Sequence, residues 1–321
     1  MDWEQRCIRV CGAVVMLAIL LRLTASGYLD PVAEAVRDPR AASFLVYLQT
    51  GRVVRLATPQ RAEEEPTEPE ATLPVFLETD LALLELTTTS NYQPDLENLL
   101  TRELNYDLSD TGPTVLILHT HTTESYTPTQ GQTYEPSADY RTLDERYNML
   151  RIGQEVARIL EEAGVGVIQD RQLHDYPSYN DAYQNSAQSA AEYVARYPGI
   201  RLILDLHRDA AETGSGQLAT RAAVAGKSSA QLMLVVGTDD GGLSPPDWQE
   251  NLSRALKLQV VLEKENPGLC RDLALSWQRF NQHFAPGALL VEVGAAGNTL
   301  DEALVAAGAL AEGILTLFGM G

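Results

Sequence analysis

Thr114–Tyr126, TVLILHTHTTESY, is the stretch from which the fold is read. Val115–Leu118 is an apolar run with the length and β-branched content of a buried strand. It stops at His119 and His121, and Glu124 follows closely. Polar groups placed there belong at the carboxyl end of a strand, where open α/β sheets put their ligand crevices. Two later stretches share the design. In one, Leu202–Leu206 runs into His207, Arg208 and Asp209 (LILDLHRDA). In the other, Ala288–Val291 runs into Glu292 (ALLVEVG). Should the three be neighbouring strands, imidazoles and carboxylates converge in one crevice.

Outward from this centre, the chain alternates strand and helix patterns. Glu145–Ala163 has apolar residues at helical spacing, Met149, Ile152, Val156, Ile159 and Leu160, with Asp144 as the expected cap and Gly164 as the stop. VGVIQD is the next strand, which makes a parallel crossover. Ser186–Tyr197, Trp248–Lys264 and Leu300–Leu317 read as helices, the last capped by Asn298 or Thr299. Arg221–Gly226 and Leu232–Gly237 read as strands, and an irregular helix is expected from Asn266 to Asp272. The expected class is α/β, a three-layer mixed, largely parallel sheet flanked by helices.

Before this domain the character changes. Ile8–Leu23 is mostly apolar, and Ala25-Ser26-Gly27 offers small residues for cleavage. Residues 1–27 thus read as a membrane anchor or export signal, with the anchor preferred. Residues 28–75, centred on RAEEEPTEPEATLP, read as a flexible acidic, Pro-rich stalk. Residues 76–321 form the domain, with its core from 114. Leu77–Leu108 is read as a collar that includes one helix at Asp95–Leu104.

Composition narrows the chemistry. A net charge of −20 and the lack of a basic stripe argue against nucleic acid. Three cysteines, Cys7, Cys11 and Cys270, build neither a disulfide framework nor a CxxC zinc cluster. Any metal must use His and carboxylate. Three such ligands around zinc leave a position for water, and a separate Glu serves as general acid/base. The best set is His121, Glu124 and His207, with Glu292 as acid/base. His119 competes with His121, and Asp144 competes with Glu124; spacing leaves both choices open. Arg208 has a planar fork suited to a substrate carboxylate. The bland alternatives are hydrogen-bonded structural histidines and a Glu292 salt bridge to Arg208. His174 and His283 lie in loops, and Asp205 and Asp209 are expected to orient their neighbours. No Gly-rich phosphate loop, GxSxG elbow or HExxH helix occurs.

HTHTTESY, DERYNMLRIG, HDYPSYNDAYQNS, LDLHRDA and NQHFAPGALLVEVGAAGN occur here in order. Together they resemble the stage II sporulation protein P family, from about Thr114 to the C-terminus, and the apolar N-terminus and variable stalk agree. The resemblance implies a peptidoglycan hydrolase with an amidase-type fold, acting in sporulation engulfment. It implies zinc-dependent cleavage between N-acetylmuramic acid and the stem peptide, and also cleavage of peptide cross-links. It further implies attachment to the cell membrane with the catalytic domain outside the cytoplasm, and stage II sporulation proteins D and M as partners. The closing VEVGAAGN is similar to the end motif of cell-wall zinc amidases, which puts the acid/base on Glu292. Their first histidine lies beyond the first strand, which favours His121, and their Glu ligand opens the first helix, where Asp144 and Glu145 stand. A different class of reading is a non-catalytic wall-binding scaffold that recruits another hydrolase.

Overall fold

The computed structural model describes residues 73–103, 107–108, 112–214, 216–242 and 248–320. These belong to one compact unit, Pro69–Gly321. The expected anchor, and the expected stalk up to residue 72, lie outside the described residues. Among the described residues no helix is long and apolar enough to cross a membrane.

In chain order the elements are β1 (Leu86–Thr88), α1 (Leu96–Thr101), β2 (Val115–Leu118), β3 (Pro136–Ala138), β4 (Arg141–Thr142), α2 (Met149–Glu162), β5 (Val167–Gln169), α3 (Ala182–Arg196) and β6 (Leu202–Asp209). There follow β7 (Glu212–Thr213), β8 (Gly216–Gln217), β9 (Arg221–Val224), β10 (Lys227–Ala230), β11 (Leu232–Gly237), α4 (Trp248–Glu265), β12 (Leu273–Ser276), β13 (Ala288–Ala295) and α5 (Leu300–Leu317). Short 3-10 turns cover Glu78–Leu83 and Tyr179–Asp181.

The main sheet has the order β1-β12-β11-β13-β6-β2-β5. All its ladders are parallel except β11–β13. The three strands with chemical tips, β2, β6 and β13, are therefore consecutive. Their continuous apolar runs fit strands covered on both faces. Val115, Ile117, Leu204, Leu206, Leu289 and Val291 pack with α2, α4 and α5. Leu116, Leu118, Ile203 and Ala288 pack with Ala190 of α3. Helices on both faces make three layers. Burying each such Leu, Ile or Val side chain contributes about 1.5–3 kcal/mol before the cost of ordering it.

Two sequence expectations change. α2 begins at Met149 and not Glu145: Asn148 Oδ1 caps it, accepting from Leu150 N at 3.0 Å, while Asp144 sits in the preceding turn. Within the collar, β1 adds a parallel edge strand beside β12. The helix expected at Asn266–Asp272 is absent; that segment turns into β12, whose Leu273 and Leu275 are buried in alternation.

Candidate metal-centred active site

The loop after β2 is held by threonine hydroxyls. Thr120 donates its backbone N–H (2.9 Å) and hydroxyl (2.6 Å) to the buried Asp205. Thr122 Oγ1 lies 2.7 Å from the His119 carbonyl. Thr123 Oγ1 donates to Asp175 Oδ2 at 2.7 Å, and Arg141 clamps the same oxygen at 2.5 Å. A loop this deeply buried must satisfy every backbone polar group, and the run HTHTTES supplies the means. The loop turns His121 and Glu124 toward β6.

His207 of β6 and Glu292 of β13 are paired in register. Just beyond Glu292 the ladder shifts at a bulge, where Gly294 adopts φ +72°. A Cβ on Gly294 would come within 2.7 Å of Ala230, so only glycine fits this bend. Asn298 braces the bend. Its Oδ1 accepts from Ala295 N at 3.0 Å, and its Nδ2 donates to Thr220 O and to Glu302.

His121 and His207 face each other nearly at right angles, ring centres 5.3 Å apart. Glu124 Oε2 is 3.8 Å from His207 Nδ1. Asp205 Oδ1 lies 3.1 Å from His207 Nε2, yet that nitrogen makes no well-aligned hydrogen bond. Burial first, then the positive charge of His207 and Arg141, lowers His121 to about 3, so it is a neutral imidazole. Burial lowers His207 as well, but Asp205, Glu124 and Glu292 outweigh it and raise this residue to about 10. Glu292 is raised to about 8 by burial and by the Glu124 and Asp209 charges.

An aromatic wall closes one side. Tyr179 stacks on His121 at 4.6 Å, and Arg141 lies over the Tyr179 ring, also at 4.6 Å. Tyr183 meets His121 edge-on at 5.6 Å and lies nearly parallel to His207 at 6.5 Å.

Of the other expected residues, Arg208 borders the site, its backbone N–H donating to Glu124 Oε2 at 3.2 Å, and the rest have other partners. His119 is wedged under α2. Its Nε2 is 3.0 Å from the Gln169 amide, its Nδ1 is 3.4 Å from Leu206 O, and Gly153 leaves the room it needs. Asp144 is bound by Arg146 at 2.6 Å on the surface. Arg208 is 4% exposed and gives its guanidinium to the carbonyls of Ser125 (3.1 Å) and Tyr140 (2.9 Å). It pins two loops rather than presenting an open fork. His174 is paired with Asp170 at 2.8 Å. Asp205 does orient its neighbours, as expected. Asp175, Arg141, Tyr179, Tyr183 and Gly153 were not singled out from sequence. Each lies inside a quoted motif or beside one, but spacing alone gave none of them a role.

Among the described residues, no three His, Cys, Asp or Glu side chains stand as a ready ligand cluster. Three buried atoms here nevertheless lack a hydrogen-bond partner among the described residues: His121 Nδ1, His207 Nε2 and Glu292 Oε2. Two imidazoles, each with one ring nitrogen outside any well-aligned hydrogen bond, stand among carboxylates, a donor set that fits a divalent cation of zinc's ligand preferences once His207 gives up its proton. His121, Glu124 and His207 are the expected donors that stand near one another, with His207 next to both of the others.

Residues 57–315 match the family model of stage II sporulation protein P. The chain belongs to the stage II sporulation protein P family. It is 30% identical over 210 residues, 62% of its length, to stage II sporulation protein P of Bacillus subtilis (strain 168). It spans about half of that relative, 49%. Among solved structures it is similar to N-acetylmuramoyl-L-alanine amidase AmiC2 of Nostoc punctiforme (14% identity, 64% of this chain and 97% of that one, TM-score 0.37). It is also similar to the CwlD amidase from Clostridioides difficile in complex with the GerS lipoprotein (14%, 65% and 100%, 0.40). A third is the N-acetylmuramyl-L-alanine amidase Ami1 from Mycobacterium smegmatis (13%, 66% and 100%, 0.42).

Proposed function

We propose that this family member is a peptidoglycan hydrolase of sporulation, and that it is a zinc-dependent amidase cleaving between N-acetylmuramic acid and the stem peptide. One observation carries the reading. Glu292, with a buried oxygen that lacks a partner among the described residues, is registered beside His207 and lies within reach of the Glu124 charge, while His207 itself faces His121 and Glu124. Zinc supplies a Lewis acid for the amide carbonyl and lowers the pKa of water. His121, Glu124 and His207 would hold it. Glu292 takes the proton of the attacking water and returns it to the leaving nitrogen. An acid/base works best with a pKa near the working pH, and its surroundings hold Glu292 at about 8. Tyr179 and Tyr183 cover the histidines and limit water.

We place the domain outside the cytoplasm, held to the cell membrane by the apolar residues near the N-terminus. Stage II sporulation proteins D and M are its proposed partners in engulfment, and cross-link cleavage is a proposed second activity. Digestion of wall sacculi with and without chelator, followed by mass spectrometry of the products, tests the reading. Free lactyl ends mean amidase, and split cross-links mean endopeptidase.

A second reading, a wall-binding scaffold without catalysis, is favoured by the lack of a ready ligand cluster among the described residues. It predicts a protein free of metal and no released peptide.

A further inference from the structure

Arg271 lies just before β12, and Asp209 ends β6; in the sheet, β11 and β13 stand between those strands. The two side chains still meet, Arg271 Nη1 at 2.7 Å from Asp209 Oδ2. The ion pair therefore reaches over the ends of both intervening strands, at the same sheet edge as Glu292. Asp209 Oδ1 accepts from Ala211 N at 2.9 Å, which fixes the carboxylate. Among the described residues, Arg271 makes no other side-chain hydrogen bond. A guanidinium has five N–H donors, so most of this fork is available.

Among the described residues, what adjoins it is open. α3 covers β2 and β6 on the face that carries His207 and Glu292. The helices packed on β11 and β12 lie on the opposite face, against Leu232, Leu234, Leu273 and Leu275. On the uncovered face is a hollow of ≈ 400 Å³, lined by Thr87, Gln231, Met233, Cys270, Arg271 and Asp272. Met233 is the direct partner of Glu292 in the antiparallel β11–β13 ladder. Directly opposed residues have Cα atoms about 4.5–5.5 Å apart. The floor of the hollow thus begins beside the acid/base.

We propose that this hollow is the subsite for the peptide arm of the substrate, with Arg271 receiving a peptide carboxylate. The inference rests on the amidase reading of the site. In that cleavage the leaving nitrogen belongs to the peptide, and Glu292 returns the proton to it. The peptide must then lie on the Glu292 side of the crevice, which is the Met233 side. An arginine fork binds carboxylate with two parallel charge-assisted bonds. Thr87 and Gln231 offer polar groups to peptide amides, and Asp272 suits an ammonium.

Titration calorimetry on the full chain tests this with two probes, L-alanyl-γ-D-glutamyl-L-lysine and its fully amidated form. The wild type should bind the acid form about tenfold tighter than the amide. Arg271→Gln should bring the acid form down to the affinity of the amide, and Arg271→Lys should regain part of the difference. Met233→Trp, which fills the hollow, should weaken both. A preference that survives in Arg271→Gln overturns the subsite. A wild type that digests walls but binds both forms equally, or neither, also overturns the subsite and leaves the amidase reading standing. A wild type that neither digests nor binds overturns both.

Discussion

His207 and Glu292 are registered neighbours on adjacent parallel strands, and their side chains point to the same face of the sheet. Their ionisation is linked. His207 is protonated at neutral pH without metal, and Glu292, raised to about 8, is largely protonated too. A metal ligand must be deprotonated, and a nearby dication favours the carboxylate. Zinc binding at pH 7 should therefore release about one to two protons. Calorimetry in buffers of different ionisation enthalpy measures this number. Release of none would contradict a protonated His207 that becomes a ligand.

Gly153 on α2 and His119 beyond β2 are matched in shape. A Cβ at 153 would lie 2.5 Å from His119 Nε2 and 2.4 Å from Gln169 Nε2. Gly153→Ala should cost about 1–3 kcal/mol in urea unfolding, as overpacking does. The cost should shrink when combined with His119→Ala, because the two sites share one space. His119→Ala alone should keep its zinc. Loss of zinc there would restore His119 as a ligand in place of His121.

The closing helix α5 carries an acid-sensitive clamp. Glu302 caps it with Thr299, accepts from Asn298 at 3.0 Å and pairs with Arg221 at 2.5 Å. Burial raises this carboxyl, but hydrogen bonds from Asn298, Arg221, Thr299 and Ser228 outweigh it and hold Glu302 at about 2, against an ordinary 4.5. A depressed carboxyl stabilises the fold above its unfolded pKa, and that stability is lost as pH falls through the folded value. Stability from Glu302 is thus complete above pH 4.5 and fades toward pH 2. Glu302→Gln should remove about 1–2 kcal/mol at pH 7, a range discounted because Arg221 is half exposed, and should flatten the acid loss. Denaturant midpoints at pH 7, 4 and 2.5 measure both effects.

The sheet was legible because its three central strands are unbroken apolar runs, a pattern that demands cover on both faces. Their chemical tips were legible because His207 and Glu292 follow such runs without a turn residue between. β1 was not, since Leu86–Thr88 is half exposed at the sheet edge and carries no period. The start of α2 differs from the sequence expectation because Asp144 has a capping side chain, yet Asn148 is the residue placed to use one. His119 and His121 look alike in sequence. What separates them is a glycine more than thirty residues later and the tyrosine that stacks on one of them. Such long-range packing leaves no periodic trace.

Asp175 is fully buried and ties Thr123 and Arg141 to the loop that carries His121. Removing one partner of a buried pair leaves the other charge uncompensated. Asp175→Ala should cost about 3–5 kcal/mol, and zinc affinity should fall with it because the loop loses its anchor. Asp175→Asn keeps a hydrogen-bond acceptor and should cost less. Chemical denaturation and zinc titration of the two variants check the order.

The most direct measurement pairs zinc content with wall digestion in Glu292→Gln. Removing a general acid/base lowers rate by about 10²–10⁴-fold. The account predicts that the variant binds zinc as the wild type does and releases peptide from sacculi at least about a hundredfold more slowly, while His207→Ala loses both metal and activity. Full activity in Glu292→Gln, or undiminished zinc in His207→Ala, would contradict it.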